Sequence, residues 1–121
     1  MSISERISHI MLEVTNLEKS TKFYQDILGF EIASREKMKD GRDVVVFYQG
    51  IGLTPRVDKN FENKILNHVG IKINDVDMLI SNLNKAKVKI IDGPSSSNYG
   101  TKLYFLDPDG IRLECHEKFR S

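Results

Sequence analysis

"HVGIKINDVDML", residues 68–79, repeats "HIMLEVTNLEKS", residues 9–20, at an offset of 59 residues. Each copy opens on a histidine, alternates as a strand, passes through polar residues and enters an amphipathic helix. In the first copy Ile10, Leu12 and Val14 share one strand face, with His9, Met11 and Glu13 on the other. In the second, Val69, Ile71 and Ile73 are set against His68, Gly70 and Lys72. A chain that makes the same strand and helix twice is a duplicated module, and modules of this size need each other to bury their sheets.

The flanking sequence completes each copy. Asn16 caps a helix whose apolar positions include Leu17, Phe23, Tyr24, Ile27 and Leu28, and Gly29 supplies the left-handed residue that ends it. "FEIASR", a hairpin turn at Asp40-Gly41 and "DVVVFYQ" give two strands. "GIGLTPRV" reads as a weaker, poorly formed fourth strand, and Pro55 places it at an edge, a bulge or a strand end. Residues 58–65 read as a polar connector. Asp75 then caps a second helix with a stripe at Val76, Leu79, Ile80 and Leu83. "VKII" is a strand, "DGPSSSNYG" a loop, "TKLYFL" a strand, "DPDG" a turn and "IRLECHE" the last strand. The order is βαβββ twice, over modules of about 7–57 and 66–117 within a single domain spanning residues 1–121.

Composition narrows the function classes. The 121 residues carry 18 basic and 17 acidic side chains, with no basic block or aromatic-basic ladder, which argues against nucleic acid. No apolar run approaches the ~20 residues of a membrane span, and "MSISERISHI" has no secretory core. One cysteine, Cys115, fits a reducing, cytoplasmic setting.

If a helix covers one face of each sheet, the opposite faces carry His9, Glu13, His68, Lys72, Glu114 and His116. Two histidines and a carboxylate on three strands can form a facial triad for Mn, Fe, Ni or Zn, with positions open for water or substrate. The spacings, 59 and then 46 residues, match no local motif. The alternative is that each histidine merely opens a strand and caps backbone groups. Cys115 shares the Leu113 face and reads as a buried small hydrophobe rather than a nucleophile. Glu13 and Lys72 occupy equivalent repeat positions, where they could pair at a rim, bind substrate or be solvated.

"SHIMLEVTNLEKSTKFYQDILGFE", "NHVGIKI" and "YFLDPDGIRLE" together resemble the vicinal oxygen chelate superfamily, which includes glyoxalases, extradiol dioxygenases, fosfomycin-modifying enzymes and bleomycin-binding proteins. The resemblance covers residues 7–117 and implies an α+β fold. In it, tandem βαβββ modules form a cup-shaped mixed sheet around a divalent metal, with the helices outside. Carried over position by position, it implies metal ligands His9, His68 and Glu114, and a metal that is Ni, Zn, Mn, Fe or Co. It gives Tyr104 the role of holding or polarising metal-bound substrate; the other reading of Tyr104 is an interior aromatic with a polar handle. In that scheme Glu114 is a ligand, and the base is Glu13, His116 or a metal-bound hydroxide; the place of His116 on the Glu114 face, not the resemblance, makes it a candidate. A fourth ligand used by glyoxalases would fall near Thr54, and a phosphonate-binding lysine near Pro94. The resemblance also implies a homodimer with shared active sites, His9 meeting His68 and Glu114 of the other chain.

The implied activity is a metal-dependent lyase or isomerase of glyoxalase type, acting on a small substrate with vicinal oxygens. The alternatives are an extradiol-type dioxygenase, a fosfomycin-type thiol transferase or hydrolase, and a non-catalytic protein that binds a small antibiotic. "GPSSSNYG" is expected to be a mobile lip, with Tyr99 its ligand-facing residue.

Overall fold

The computed structural model describes residues 2–58, 60 and 65–119. The elements follow in the order β1 (Ile10–Val14), α1 (Leu17–Leu28), β2 (Ile32–Lys37), β3 (Asp43–Phe47), β4 (Ile51–Pro55), β5 (Val69–Lys72), α2 (Val76–Lys85), β6 (Ile90–Ser97), β7 (Gly100–Leu106) and β8 (Arg112–His116). This is βαβββ twice. The strands form two four-stranded sheets of matching order, β1-β4-β3-β2 and β5-β8-β7-β6. In each, the first strand runs parallel to the fourth and the remaining pairs are antiparallel. The chain divides into two compact units, one carrying β1–β4 and the other β5–β8. Most of the connector at 58–65 lies outside the described residues.

Both helices start where their caps dictate. The Lys19 N–H donates to Asn16 Oδ1 at 3.0 Å, and the Met78 N–H donates to Asp75 Oδ1 at 2.9 Å. They end differently. Gly29 closes α1 at φ 69°, where the absence of a Cβ makes the left-handed region free of strain. After α2 the equivalent conformation falls on Lys87, at φ 59°. A side chain there costs about 1 kcal/mol relative to glycine. Lys87→Gly is therefore expected to stabilise the protein by roughly that amount, read as a higher denaturant midpoint at unchanged slope. A lower midpoint would show that the lysine side chain contributes more than its backbone costs.

In the first unit Tyr24 of α1 stacks on Phe30 at 5.6 Å between ring centroids and meets Phe47 of β3 at 6.0 Å. Leu12, Val14, Val45 and Leu53 are buried with them. In the second unit Leu79, Leu83, Leu103, Phe105, Leu113 and Cys115 are buried. Leu113 and Cys115 alternate along β8 with half-buried Arg112, Glu114 and His116, so one face of β8 is core and the other lines a surface.

Two expectations are corrected. The fourth strand is neither weak nor at an edge: β4 lies between β1 and β3, and Ile51, Gly52, Leu53 and Thr54 are all buried. Gly52 leaves room for the Met11 side chain, whose Cε would lie 2.8 Å from a Cβ there. Pro55 simply terminates it. Nor is the serine-rich segment a loop: β6 extends through Ser97 and pairs with β7, with register shifts between Ile90 and Asp92 and between Asp92 and Ser95. As an edge strand with exposed side chains it needs no apolar alternation, so the polar sequence concealed it.

Candidate functional site

β8 is an inner strand, held between β5 and β7. Its register places Glu114 opposite Gly70 on one side and opposite Tyr104 on the other. A carboxylate at the centre of a sheet, half-buried, needs partners, since burial without them is costly. It has two. The Tyr104 hydroxyl donates to Glu114 Oε2 in a short hydrogen bond, and His68 Nε2 stands 3.7 Å from the same oxygen. The His68 and Tyr104 rings meet edge to face at 6.1 Å. The hydrogen bond to Glu114, helped by burial, holds the Tyr104 phenol above its ordinary pKa, so the proton stays on Tyr104 through the neutral range.

The other ring nitrogen of His68 makes the geometry informative. Nδ1 lies 2.6 Å from Asn67 Oδ1, which can only accept, so Nδ1 carries the hydrogen. In the neutral ring, Nε2 then turns a lone pair toward a carboxylate oxygen. A proton on Nε2 or a shared cation would satisfy both atoms. Metal–nitrogen and metal–oxygen bonds of about 2 Å span such a gap, and the Asn67 contact is the kind of outer partner that fixes a ligating imidazole. The donor set therefore fits a divalent metal.

His9 precedes β1, is exposed, and its Nδ1 lies 3.0 Å from Ser8 Oγ. Among the described residues no group of three His, Cys, Asp or Glu side chains converges on one point. The structure thus brings together His68, Glu114 and Tyr104, and His9 makes no third member of a group within the described residues.

The remaining residues sort by their contacts. Glu13 pairs with Arg42, Oε2 to Nη1 at 3.2 Å, and Lys72 Nζ donates to Asn74 Oδ1 at 2.7 Å. The Thr54 side chain, at the position of a fourth ligand, is 1% exposed, and its hydroxyl donates to the Asp43 carbonyl at 2.9 Å. It is committed to the backbone. His116 donates through Nδ1 to the Lys118 carbonyl at 2.8 Å and packs against Tyr99 at 5.2 Å between rings. Tyr99 sits in the β6–β7 turn, where its N–H donates to Ser97 Oγ at 3.0 Å. Cys115 is fully buried, and burial, with the Glu114 charge adding to it, pushes its thiol up to about 12. It is no nucleophile. Sequence reasoning missed Asn67 and Arg112. Arg112 lies over the Tyr104 ring at 4.2 Å, and the signal for it was its place two residues before Glu114, on the same strand face.

Comparison with known proteins bears on the family and the fold. The model of a family described as Glyoxalase/Bleomycin resistance protein/Dioxygenase superfamily matches residues 6–115. A metallothiol transferase FosB of Staphylococcus epidermidis is 32% identical over 91% of this chain and 81% of its own. A lactoylglutathione lyase of Neisseria meningitidis serogroup A is 25% identical, covering 93% of this chain and 91% of its own. The trypanothione-dependent glyoxalase I of Leishmania major superposes with a TM-score of 0.79 at 26% identity, over 95% of this chain and 88% of its own. Among the described residues no helix is long and apolar enough to cross a membrane. With the family match spanning nearly the whole chain and the paired βαβββ fold shared with solved relatives, this protein belongs to the glyoxalase/bleomycin resistance protein/dioxygenase superfamily, the vicinal oxygen chelate proteins.

Proposed function

We propose that this chain is a divalent-metal-dependent enzyme of glyoxalase-like lyase or isomerase type, acting on a small substrate with two vicinal oxygens. The observation that carries the reading is the Tyr104–Glu114–His68 cluster at the centre of the second sheet. Glu114 and His68 would hold the metal, with His9 of a partner copy as third ligand in a homodimer. Exposed Ile3, Ile7 and Ile10 give the segment leading into β1 an apolar surface suited to such a contact. When bound, the metal supplies Lewis acidity that polarises the substrate oxygens and stabilises negative charge on them. Tyr104 orients Glu114 through its hydroxyl and keeps a proton beside the site. Asn67 keeps His68 turned so that Nε2 faces Glu114. Glu13 and His116 are the side chains we assign to proton transfer. The free thiol, buried and unreactive, suits a reducing cytoplasm.

A second reading, transfer of a thiol to an activated substrate, is favoured by two observations. Thr54 is committed to the Asp43 carbonyl, leaving no fourth ligand on β4, and a relative at 32% identity is a metallothiol transferase. A panel separates the readings: protein loaded in turn with Ni, Zn, Co, Mn and Fe(II), offered a 2-oxoaldehyde–thiol adduct, a catechol and an epoxide with thiol. Turnover of the adduct supports the first reading. Turnover of the epoxide alone replaces it with the second. Tyr104→Phe is expected to retain metal while lowering turnover about tenfold, the size of one charge-assisted hydrogen bond. Unchanged turnover would reduce Tyr104 to a packing residue.

A further inference from the structure

The face that carries Glu114 holds more positive charge than a sheet needs for its own sake. Arg112 precedes Glu114 on β8 and Lys102 precedes Tyr104 on β7, all four on the half-buried face. The register sets Arg112 opposite Leu106 and Lys102 opposite His116, so the two cations lie on either side of the Glu114–Tyr104 row. Both rest on one ring: the Arg112 guanidinium carbon is 4.2 Å from the Tyr104 centroid and Lys102 Nζ is 5.6 Å from it. Their charges are weakly met. The Arg112 contact with Asp92 is long, Nη2 to Oδ2 at 3.9 Å, and Asp92 is itself exposed. Arg112 Nε is buried without a hydrogen-bond acceptor. Among the described residues Lys102 forms no ion pair with a carboxylate. That nitrogen is out of a ligand's reach, and it is the exposed part of the guanidinium, on a side chain 42% exposed, that a ligand can meet.

The ring stacking explains how the two cations are held. It does not explain why two are kept where leucine or threonine would pack as well. Neither cation forms an ion pair with Glu114 among the described residues. We propose that Arg112 and Lys102 form an oxyanion clamp, and that the substrate carries a carboxylate or a phosphate-type group beside its vicinal oxygens. This deepens the metal-dependent reading and rests on it for the chemistry, but the clamp itself binds its anion without metal. The guanidinium is the directional half, a planar fork fixed against Tyr104, and the ammonium is the adaptable half on a flexible stem.

The test uses metal-free full-length protein. Inorganic phosphate and, separately, acetate are titrated while backbone amide chemical shifts are followed. The expected result is saturable movement of the amides around residues 102–104 and 112–114 with at least one of the two anions, and the tighter anion names the group. Arg112→Gln and Lys102→Gln should each weaken that binding about tenfold, the loss of one charge-assisted hydrogen bond. Lys85→Gln, at the end of α2, should leave it unchanged. The Lys102 variant alters a half-exposed side chain, so it reads the clamp even if the Arg112 variant perturbs folding. Saturation by neither anion, or saturation that both variants leave intact, would overturn the clamp. Phosphate binding in a protein that never retains metal would sink the metal reading and leave the clamp standing. Metal retention without anion binding would do the reverse.

Discussion

Glu114→Gln is expected to abolish metal retention, weakening affinity by more than the roughly 10–100-fold that loss of an outer partner of a metal ligand causes. The substitution keeps the shape of the side chain and an acceptor for the Tyr104 hydroxyl, so the fold should survive. What disappears is the anionic charge that balances the cation and lets a neutral imidazole 3.7 Å away share it. Competition against a fluorescent chelator measures the affinity, and metal content after dialysis confirms it. The wild-type protein should also gain about 2.7 kcal/mol of stability at a metal concentration a hundredfold above Kd. The variant should gain none, while its metal-free stability stays near that of the wild type. A glutamine variant that binds metal within a factor of about three of wild type would mean that Glu114 is a structural carboxylate held by Tyr104, a difference of under 1 kcal/mol.

The second large effect concerns who supplies His9. His9→Ala and His68→Ala are each expected to lose metal and turnover as pure proteins. Unfolded together in equal amounts and refolded, they should recover about a quarter of the wild-type sites, because half of a random dimer population is mixed and each mixed dimer rebuilds one of two sites. The basis is asymmetric: His68 already faces Glu114, whereas His9 belongs to no three-ligand group among the described residues. Mixed dimers can be isolated through tags of different charge and assayed directly. If verified mixed dimers stay inactive, ligands of different chains do not complement one another and the shared site is wrong. If either single variant keeps full metal content, that histidine is not a ligand.

Much of this was legible in the residues. Asn16 and Asp75 announced both helices, since a side-chain oxygen ahead of an apolar 3.6-residue period has few other uses. The repeat carried the duplication, and the alternation of Leu113 and Cys115 with Glu114 and His116 gave the two faces of β8. What stayed hidden depends on partners distant in sequence. Gly50, Gly52 and Pro55 weakened the signal of β4, because the packing of the Met11 side chain beside Gly52 appears only once the sheet is assembled. The serines of β6 read as loop because an exposed edge strand imposes no apolar period. The "DPDG" turn leads from the strand of Tyr104 to that of Glu114, but the bond between the two side chains appears only in the folded sheet. The Asn67–His68 contact, which turns Nε2 toward the carboxylate, could not be read from neighbouring letters alone.

The parallel pairing of β5 with β8 joins Gly70 to Glu114 across more than forty residues of chain. Contacts of that separation form slowly, because the loop entropy is spent before the ladder returns it. The helix and the β7–β8 hairpin between them can form locally and early. Closure of β8 against β5 is therefore expected to be the late step of the second unit, and it sets His68 beside Glu114. On the proposed metal reading, a nascent chain would offer no two-ligand site to an ion until its second unit closes. Metal choice would then be made by the finished geometry, and a substitution that slows β5–β8 closure, with no change in the ligands, would delay metal uptake in a refolding experiment.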